Sequence, residues 1–170
     1  AQHEKAGHAF EEALRLAPNH WDALYYYARS SFASGNPAKA ATLFRRAGDA
    51  RREDYESPNL LVLCLRATDS PAEEIREAAR EAIRRSERAL MLNPRDARCL
   101  SLASCVYIDA GDPARAVEFA RRALEIQPDG MSPLVNAACC YARLGMKEES
   151  LALLKTVFGR GWGHRSWIEN

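Results

Sequence analysis

Turn-forming residues recur along this chain with a constant period of 34. Pro94 and Pro128 are separated by one such period, and so are Gly111 and Gly145. An Ala-Leu pair precedes each of the two prolines by the same distance, so the repeated unit extends beyond single residues. A fixed period of about 20 to 50 residues is typical of arrays in which each unit buries apolar surface against its neighbours. The chain is therefore predicted to form a repeat array.

One repeat carries an insertion of eight residues. Pro37 and Pro71 keep the period of 34, but Pro71 and Pro94 are 23 residues apart, whereas Pro113 and Pro128 are 15 apart. The additional residues therefore lie between Pro71 and Pro94. They continue a helical pattern, which predicts a helix about two turns longer than its counterparts in the other repeats.

Each period contains two apolar stretches at helical spacing, separated by residues that end one helix and begin another. Glycine ends helices because it readily adopts the left-handed conformation, and a short polar residue followed by proline suits a first helical turn. These signals occur at Gly35, Gly111 and Gly145, and at Asn36-Pro37, Ser70-Pro71 and Asp112-Pro113. The repeated unit is thus predicted to be a helical hairpin. The predicted division is a single domain over 1–170, with a half repeat at 3–18, hairpins at 21–50, 55–94, 97–128 and 131–158, and a tail at 159–170.

Charge and hydropathy disfavour two classes of partner. The chain has 24 basic and 23 acidic side chains, and a net charge of +1 gives little attraction for a phosphate backbone. The longest apolar run, Leu60 to Leu65, is far shorter than the roughly 20 residues of a membrane-spanning helix. We therefore expect neither nucleic acid nor a membrane as partner. Because the first residue is Ala1 and not methionine, we also expect the chain to be part of a larger protein.

Residues that could carry chemistry are present but are not arranged for it. The five cysteines lack the spacing of a zinc site or a disulfide framework, and the four histidines lack the spacing of a helical zinc site. Vicinal acids on a helix diverge by about 100°, so they do not face one reacting atom. The sequence predicts no catalytic site, no metal and no cofactor. Buried, reduced cysteines would suit a cytoplasmic location.

The second helices carry small and aromatic residues in the order Ala-x-x-x-Phe-x-x-Ala. Ala6, Phe10 and Ala13 follow this order, and the order recurs at Ala40, Phe44 and Ala47. In this pattern and in its period, the chain resembles the tetratricopeptide repeat (TPR) family. The resemblance implies an all-α, right-handed superhelical solenoid of antiparallel helix pairs, with about four and a half repeats and a C-terminal cap. The tail at 159–170 is similar to segments that follow such arrays in bacterial multidomain signalling proteins, and Trp162, Trp167 and Ile168 would cover the last hairpin.

The resemblance also implies a concave groove lined by first helices, where a partner peptide or protein would bind. The predicted groove residues are Asp22, Tyr25, Tyr26, Arg29, Phe32, Glu56, Asn59, Arg66, Arg98, Ser101, Asp109, Asn136 and Arg143. The arginines in this set could bind carboxylates, and the aromatic residues could anchor apolar groups, so a partner with acidic groups is the hypothesis. The lysine and asparagine clamp by which some relatives hold chaperone tails is missing from this set.

The main alternative is an assembly module. The half repeat contains Phe10, Leu14 and Leu16 but has no first helix of its own, so its apolar face could bind a second copy. An enzyme would need an inward cluster of polar groups that the pattern does not provide. Helical-repeat RNA binding uses a similar period, but the mixed charge disfavours it.

Overall fold

A computed structural model of the protein describes residues 2–161, with side chains from residue 7 onward. These residues form nine α-helices and no β-strand. The helices are α1 (Gln2–Leu16), α2 (Trp21–Ala33), α3 (Pro37–Ala50), α4 (Glu56–Ala67), α5 (Ala72–Leu92), α6 (Ala97–Asp109), α7 (Pro113–Ile126), α8 (Met131–Arg143) and α9 (Lys147–Gly159). The all-α helical-repeat prediction is confirmed.

The described residues divide into two compact units, and the boundary lies within α5, between Arg85 and Ser86. We call the part before this boundary unit 1 and the part after it unit 2. The assignment of 1–170 to a single domain stays a prediction. The predicted cap also stays a prediction, because residues 162–170 lie outside the described part of the chain.

The core of unit 1 is built from α2, α3 and α4. Phe44 and Leu24 are its largest fully buried side chains, and the alanines of α3 at 40 and 47 are also fully buried. Small side chains at these positions let neighbouring helices approach closely. Ile75 and Ala78 of α5 pack against the same cluster. The spacing noted in the sequence, with Ala40, Phe44 and Ala47 on one side of a helix, therefore identifies the buried face of α3.

The half-repeat helix α1 is partly covered in unit 1. Phe10 and Leu14 pack against the core cluster, and the ring of Phe10 stacks on that of Tyr27 at 5.4 Å. Tyr27 also donates a hydrogen bond to Glu11. Leu16, at the end of the helix, is exposed. Of the three apolar residues expected on an uncovered face, only Leu16 is left largely in solvent.

Unit 2 repeats the same packing with α6 to α9. Leu100 and Leu134 are buried first-helix residues, and Phe119 of α7 packs edge-on against Tyr107 at 4.7 Å. The hydroxyl of Tyr107 donates to Glu87, and burial together with this bond raises the pKa of Tyr107. The core of unit 2 is therefore built from both helices of each hairpin, as in unit 1.

The predicted turn signals act as expected at three hairpins. Asn36 and Asp112 accept hydrogen bonds from backbone N–H groups in the first turns of α3 and α7. Gly35, Gly111 and Gly145 have positive φ angles of 75°, 84° and 76°. The hairpin without a glycine uses Asp69, which has a φ of 50° and lies one period after Gly35. An L-residue pays a steric cost in this conformation, which aspartate tolerates better than most residues.

The eight-residue insertion lengthens one second helix. Helix α5 has 21 residues, whereas α3 and α7 have 14 each. Although α5 is long enough to reach across a bilayer, its many charges are incompatible with the hydrocarbon core. No helix between residues 2 and 161 combines the length and apolar character needed to span a membrane.

Arginines of second helices hold the loops that precede first helices. Arg46 donates to the carbonyl oxygen of Pro18 at 2.7 Å, and Arg122 donates to that of Pro94 at 3.5 Å, in both cases across 28 residues. Arg85 is buried and donates from Nη1 to the carbonyl oxygens of Gly48, Arg51 and Asp54, at 2.8 to 3.3 Å. Because carbonyls at a helix end lack partners within the helix, a fixed guanidinium stabilises the loop that follows.

Candidate functional site

The first helices of unit 1, α2 and α4, present an exposed face of mixed character. Tyr26 is 51% exposed and Leu63 is 43% exposed, which is high for large apolar side chains. Arg29 and Leu63 are one period apart, so they occupy the same register position on neighbouring first helices. Arg29 and Arg66 lie one helical turn after Tyr26 and Leu63 and are exposed. We call these four residues the α2–α4 face.

Tyr25 lies next to this face but belongs to the core. Its ring is buried, stacks on Trp21 at 4.9 Å and packs edge-on against Phe44. Its hydroxyl donates a hydrogen bond to Glu56 of α4, so the residue joins the two helices. The guanidinium of Arg29 lies 5.8 Å from the centre of the same ring. Tyr25 and Glu56, both predicted groove residues, therefore form a contact between α2 and α4 next to the α2–α4 face.

The loop before α4 is fixed by a buried carboxylate that the sequence did not reveal. Trp21 donates from Nε1 to Asp54 at 2.8 Å, and the backbone N–H groups of Glu56 and Ser57 donate to the same side chain. The guanidinium of Arg51 lies 3.9 Å from the Trp21 ring centre. Together with Arg85, these contacts hold α2 and α4 in register.

Unit 2 has a different first-helix surface, in which the polar groups bind one another. The hydroxyls of Ser101 in α6 and Ser132 in α8 are 3.2 Å apart, and Asn136 donates to both of them. Cys105 donates to the backbone carbonyl of Asn136 at 3.4 Å. Ser101 and Asn136 were predicted to face a partner, but the structure places them in contacts between α6 and α8.

Two of the three charged groove residues of unit 2, Asp109 and Arg143, form an ion pair with each other. Arg143 donates two hydrogen bonds to the carboxylate of Asp109, at 2.6 and 3.1 Å, and a third to the carbonyl of Cys105 at 2.8 Å. The side chain of Asp109 is only 8% exposed. The guanidinium of Arg143 is thus occupied by a carboxylate of its own chain.

The remaining predicted groove residues are distributed over both units. Asp22 is exposed, Phe32 and Arg98 are half-buried, and Asn59 is buried, where it donates to the carbonyl of Tyr55 at 2.7 Å. Tyr26 and Arg29 of α2, and Leu63 and Arg66 of α4, are all exposed. The structure places Tyr25, Glu56, Asn59, Ser101, Asp109 and Asn136 in contacts within the protein.

Three of the five cysteines lack the features of a reactive thiol. All five are free thiols, and burial raises the pKa of Cys64 and Cys105 to about 12 and that of Cys140 to about 11. A thiol with such a pKa is almost entirely protonated at neutral pH and is a poor nucleophile. Among the residues that the structure describes, no three His, Cys, Asp or Glu side chains are grouped so as to hold a metal ion.

Three family models, each described as tetratricopeptide repeat, match residues 1–60, 32–89 and 97–129. The chain belongs to the tetratricopeptide repeat family. The matches cover both units, which agrees with the helical hairpins and the period of 34. The resemblance inferred from the small and aromatic residues of the second helices is confirmed.

Several proteins are similar to this TPR chain. Protein FlbA of Caulobacter vibrioides is 32% identical over 145 residues, which are 85% of this chain and 23% of FlbA. The structure of TTC0263, a TPR protein of Thermus thermophilus, gives a TM-score of 0.67 at 23% identity and covers 91% of this chain and 81% of that one. YrrB, described as a TPR protein with an unusual peptide-binding site, gives a TM-score of 0.55 at 20% identity. The match covers 99% of this chain and 82% of YrrB. The chain spans about a quarter of the length of the sequence relatives it matches.

Proposed function

We propose that this TPR chain is a non-catalytic scaffold that binds a partner protein or peptide on the α2–α4 face. The observation that carries the proposal is the pair of exposed apolar side chains, Tyr26 and Leu63, beside Arg29. Within the described residues, Arg29 has no carboxylate partner, and its guanidinium lies beside the Tyr25 ring. Exposed aromatic and arginine side chains on a rigid support are the groups that contribute most to binding energy at interfaces.

The chemistry of this face favours a partner segment with an apolar residue and a carboxylate. An apolar side chain would cover Tyr26 and Leu63, and the carboxylate would pair with Arg29, which can form two parallel hydrogen bonds. Arg143 is less suited to this task, because a partner would have to displace the buried carboxylate of Asp109. Binding is therefore assigned to unit 1. The similarity to YrrB, a TPR protein described as having a peptide-binding site, supports a peptide as one form of partner.

The proposal extends to the wider context of the chain. The similarity to a Caulobacter protein of which this chain spans only 23% supports a segment of a larger bacterial protein. A cytoplasmic location suits five free cysteines. The net charge of +1 supports leaving nucleic acid and anionic membranes out of the proposed partners.

The test uses a random dodecapeptide library displayed on phage and selected on the purified chain. The strongest enriched peptide is synthesised, and its Kd is measured on the original chain and on the variants Tyr26→Ser and Arg29→Glu. We expect each variant to weaken binding about tenfold or more, because each removes a central contact. Charge reversal at Arg29 should weaken the binding of a peptide more, the more acidic residues the peptide contains.

The matched control is Met131→Ser in unit 2, since Met131 is also a half-exposed apolar residue of a first helix. Binding that is unchanged by Tyr26→Ser and Arg29→Glu but lost in Met131→Ser would assign the partner to unit 2. The same library is also selected on the double variant Tyr26→Ser, Leu63→Ser. If the original chain enriches no peptide more strongly than this double variant does, peptide binding on this face is contradicted.

Self-association through α1 is a second candidate function. Leu16 is the observation that favours it, because the side chain is largely exposed at the end of α1. Sedimentation over a concentration range distinguishes this function: a dimer that dissociates in Leu16→Ser would support assembly through α1. A chain that remains monomeric at all concentrations would exclude it.

A further inference from the structure

Two cysteines occupy equivalent positions on the neighbouring first helices of unit 2. Cys105 of α6 and Cys139 of α8 are one period apart. Asp109 and Arg143 lie four residues after them, respectively, and form the ion pair between the same two helices. Because residues four apart lie on one face of a helix, Cys105 and Cys139 lie on the faces of α6 and α8 that meet at this pair.

The thiol of Cys105 already reaches across to α8. It donates to the backbone carbonyl oxygen of Asn136 at 3.4 Å. Within a helix, a short side chain three or four residues further along can reach such a carbonyl oxygen, and Cys139 lies three residues after Asn136. Rotation about one side-chain bond of Cys139 can therefore bring its thiol next to that of Cys105.

Electrostatic interactions between the thiols agree with this proximity. Burial, followed by the neighbouring thiols of Cys140 and Cys139, raises the pKa of Cys105 to about 12. Of the two neighbours, only Cys139 is exposed to an oxidant in solution, whereas Cys140 is buried and its thiol donates to the carbonyl oxygen of Ser104 at 4.0 Å. A disulfide between the adjacent residues of α8 is disfavoured, because their Cα atoms are about 3.8 Å apart and a disulfide spans about 4.4 to 6.8 Å.

We propose that Cys105 and Cys139 form an oxidation site, at which a hydroperoxide converts the two thiols into a disulfide that ties α6 to α8. The site goes beyond partner binding on the α2–α4 face and does not depend on it, because both cysteines belong to unit 2. A thiol reductant reverses the modification.

The reaction has two steps, with hydrogen peroxide as the simplest oxidant. The sulfur of Cys139 attacks one peroxide oxygen, so that an S–O bond forms, the O–O bond breaks, and the proton of the thiol leaves with the other oxygen as water. The sulfur of Cys105 then attacks the sulfenic acid of Cys139, so that the S–S bond forms, the S–O bond breaks, and the hydroxide leaves as water with the proton of Cys105. The two thiols together lose two electrons and two protons, and the peroxide is reduced to two waters.

Peptide mapping without reduction tests the pairing. The reduced chain is treated with hydrogen peroxide in dilute solution, digested and analysed by mass spectrometry. We expect a peptide link between Cys105 and Cys139 that dithiothreitol removes. The link should form equally in the matched control Cys140→Ala, but not in Cys105→Ser or Cys139→Ser.

Three results of the mapping would overturn the proposal. They are the absence of a link in the original chain, a link that persists in Cys139→Ser, and a link found only between two molecules.

Trapping of the intermediate tests the order of the steps. Dimedone added with the peroxide reacts with sulfenic acids, and it should label Cys139 several-fold more in Cys105→Ser than in the original chain, because the second thiol is missing. Equal labelling of the two chains would contradict attack by Cys105.

Unfolding by denaturant tests whether the disulfide forms between helices in their folded positions. Complete linkage should raise the denaturant midpoint of the original chain, because a cross-link restricts the unfolded chain. Peroxide-treated Cys105→Ser should keep the midpoint of its reduced form. A midpoint that fails to rise in the linked original chain would show that the disulfide strains α6 and α8, which contradicts the proposed geometry.

Discussion

Arg143 binds Asp109 through two parallel hydrogen bonds, and the two residues occupy the same register position on consecutive first helices. This pair links α6 to α8 from the side that the sequence assigned to a partner. Both side chains are mostly buried, so water and salt weaken their attraction less than that of a surface salt bridge. It therefore contributes to the stability of unit 2.

The first prediction concerns this ion pair. Replacement of Arg143 by Met keeps much of the aliphatic volume but leaves the buried carboxylate of Asp109 without the guanidinium. We expect the free energy of unfolding to fall by about 2 kcal/mol, since removal of one partner leaves a poorly solvated charge. Arg52→Met, at an exposed loop position, should change it by less than about 0.5 kcal/mol. Chemical denaturation measures both, and equal effects would contradict the role of the pair.

A second prediction concerns Arg85, which donates to the carbonyl oxygen of Gly48 near the end of α3 and to those of Arg51 and Asp54 in the loop between α3 and α4. Arg85→Met should leave these buried acceptors without their donor and lower the free energy of unfolding by about 2 to 4 kcal/mol. The neighbouring Arg84 is exposed and pairs with Glu81, so Arg84→Met should cost about 0.5 kcal/mol or less. Hydrogen exchange of amides in residues 51–57 should accelerate in Arg85→Met and remain slow in Arg84→Met.

The third prediction is a pH dependence. Hydrogen bonds from Arg84 and Arg85 lower the pKa of Glu81 to about 2, against an unperturbed value near 4.5. Because the folded-state pKa is depressed, the stabilisation is complete above pH 5 and is lost as the pH falls through 4.5 toward 2. The side chain is 40% exposed, so the effect should be limited to about 1 kcal/mol. Denaturation of the original chain and of Glu81→Gln should differ most near pH 7 and converge at pH 2, whereas a constant difference would exclude titration of Glu81.

The fourth prediction is that replacement by alanine at two glycine positions changes the free energy of unfolding in opposite directions. Gly111 has a φ of 84°, so Gly111→Ala should lower the free energy of unfolding by about 1 kcal/mol through backbone strain. Gly159 is the last residue of α9, and a Cβ there would meet nothing within 4 Å. Gly159→Ala should raise the free energy of unfolding by up to about 1 kcal/mol, because alanine loses less backbone entropy. Thermal or chemical unfolding of the two variants shows whether each substitution raises or lowers the free energy of unfolding.

The fifth prediction concerns the thiols. Cys139 is exposed, whereas Cys64, Cys99 and Cys140 are buried. A thiol reagent added to the native protein at neutral pH should therefore label Cys139 first. The three buried thiols should react only after denaturant is added, because burial disfavours the thiolate of Cys64 and Cys140 and blocks access. Mass spectrometry after labelling identifies the modified residue, and rapid modification of Cys64 would contradict the packing of unit 1.

Much of the fold follows from short-range signals in the sequence. Proline and a capping side chain begin α3 and α7, and glycine ends α2, α6 and α8, because these residues are tied to particular backbone conformations. In the hairpin that lacks a glycine, the period of 34 still predicts where the first helix ends. Asp69 takes the place of the missing glycine, which sequence reasoning could have located by counting one period from Gly35.

The site was less predictable, because burial depends on neighbours that the register does not specify. Tyr25 and Tyr26 are adjacent and chemically identical, yet one is in the core and the other is exposed. Likewise, the sequence predicted that Arg143 would face a partner, since nothing in a single repeat shows that Asp109 lies opposite. The spacing of one period between Asp109 and Arg143 was the available signal. Arg85 had no such signal, because its acceptors are backbone carbonyls.

Binding of a partner on the α2–α4 face is decided by isothermal titration of a library-selected peptide. The peptide is titrated into the original chain, into Arg29→Glu and into Arg143→Met under identical conditions. We expect Arg29→Glu to weaken binding about tenfold or more, and Arg143→Met to lower stability while leaving Kd unchanged. Loss of binding in Arg143→Met, with Arg29→Glu binding as tightly as the original chain, would show that the partner does not bind on this face.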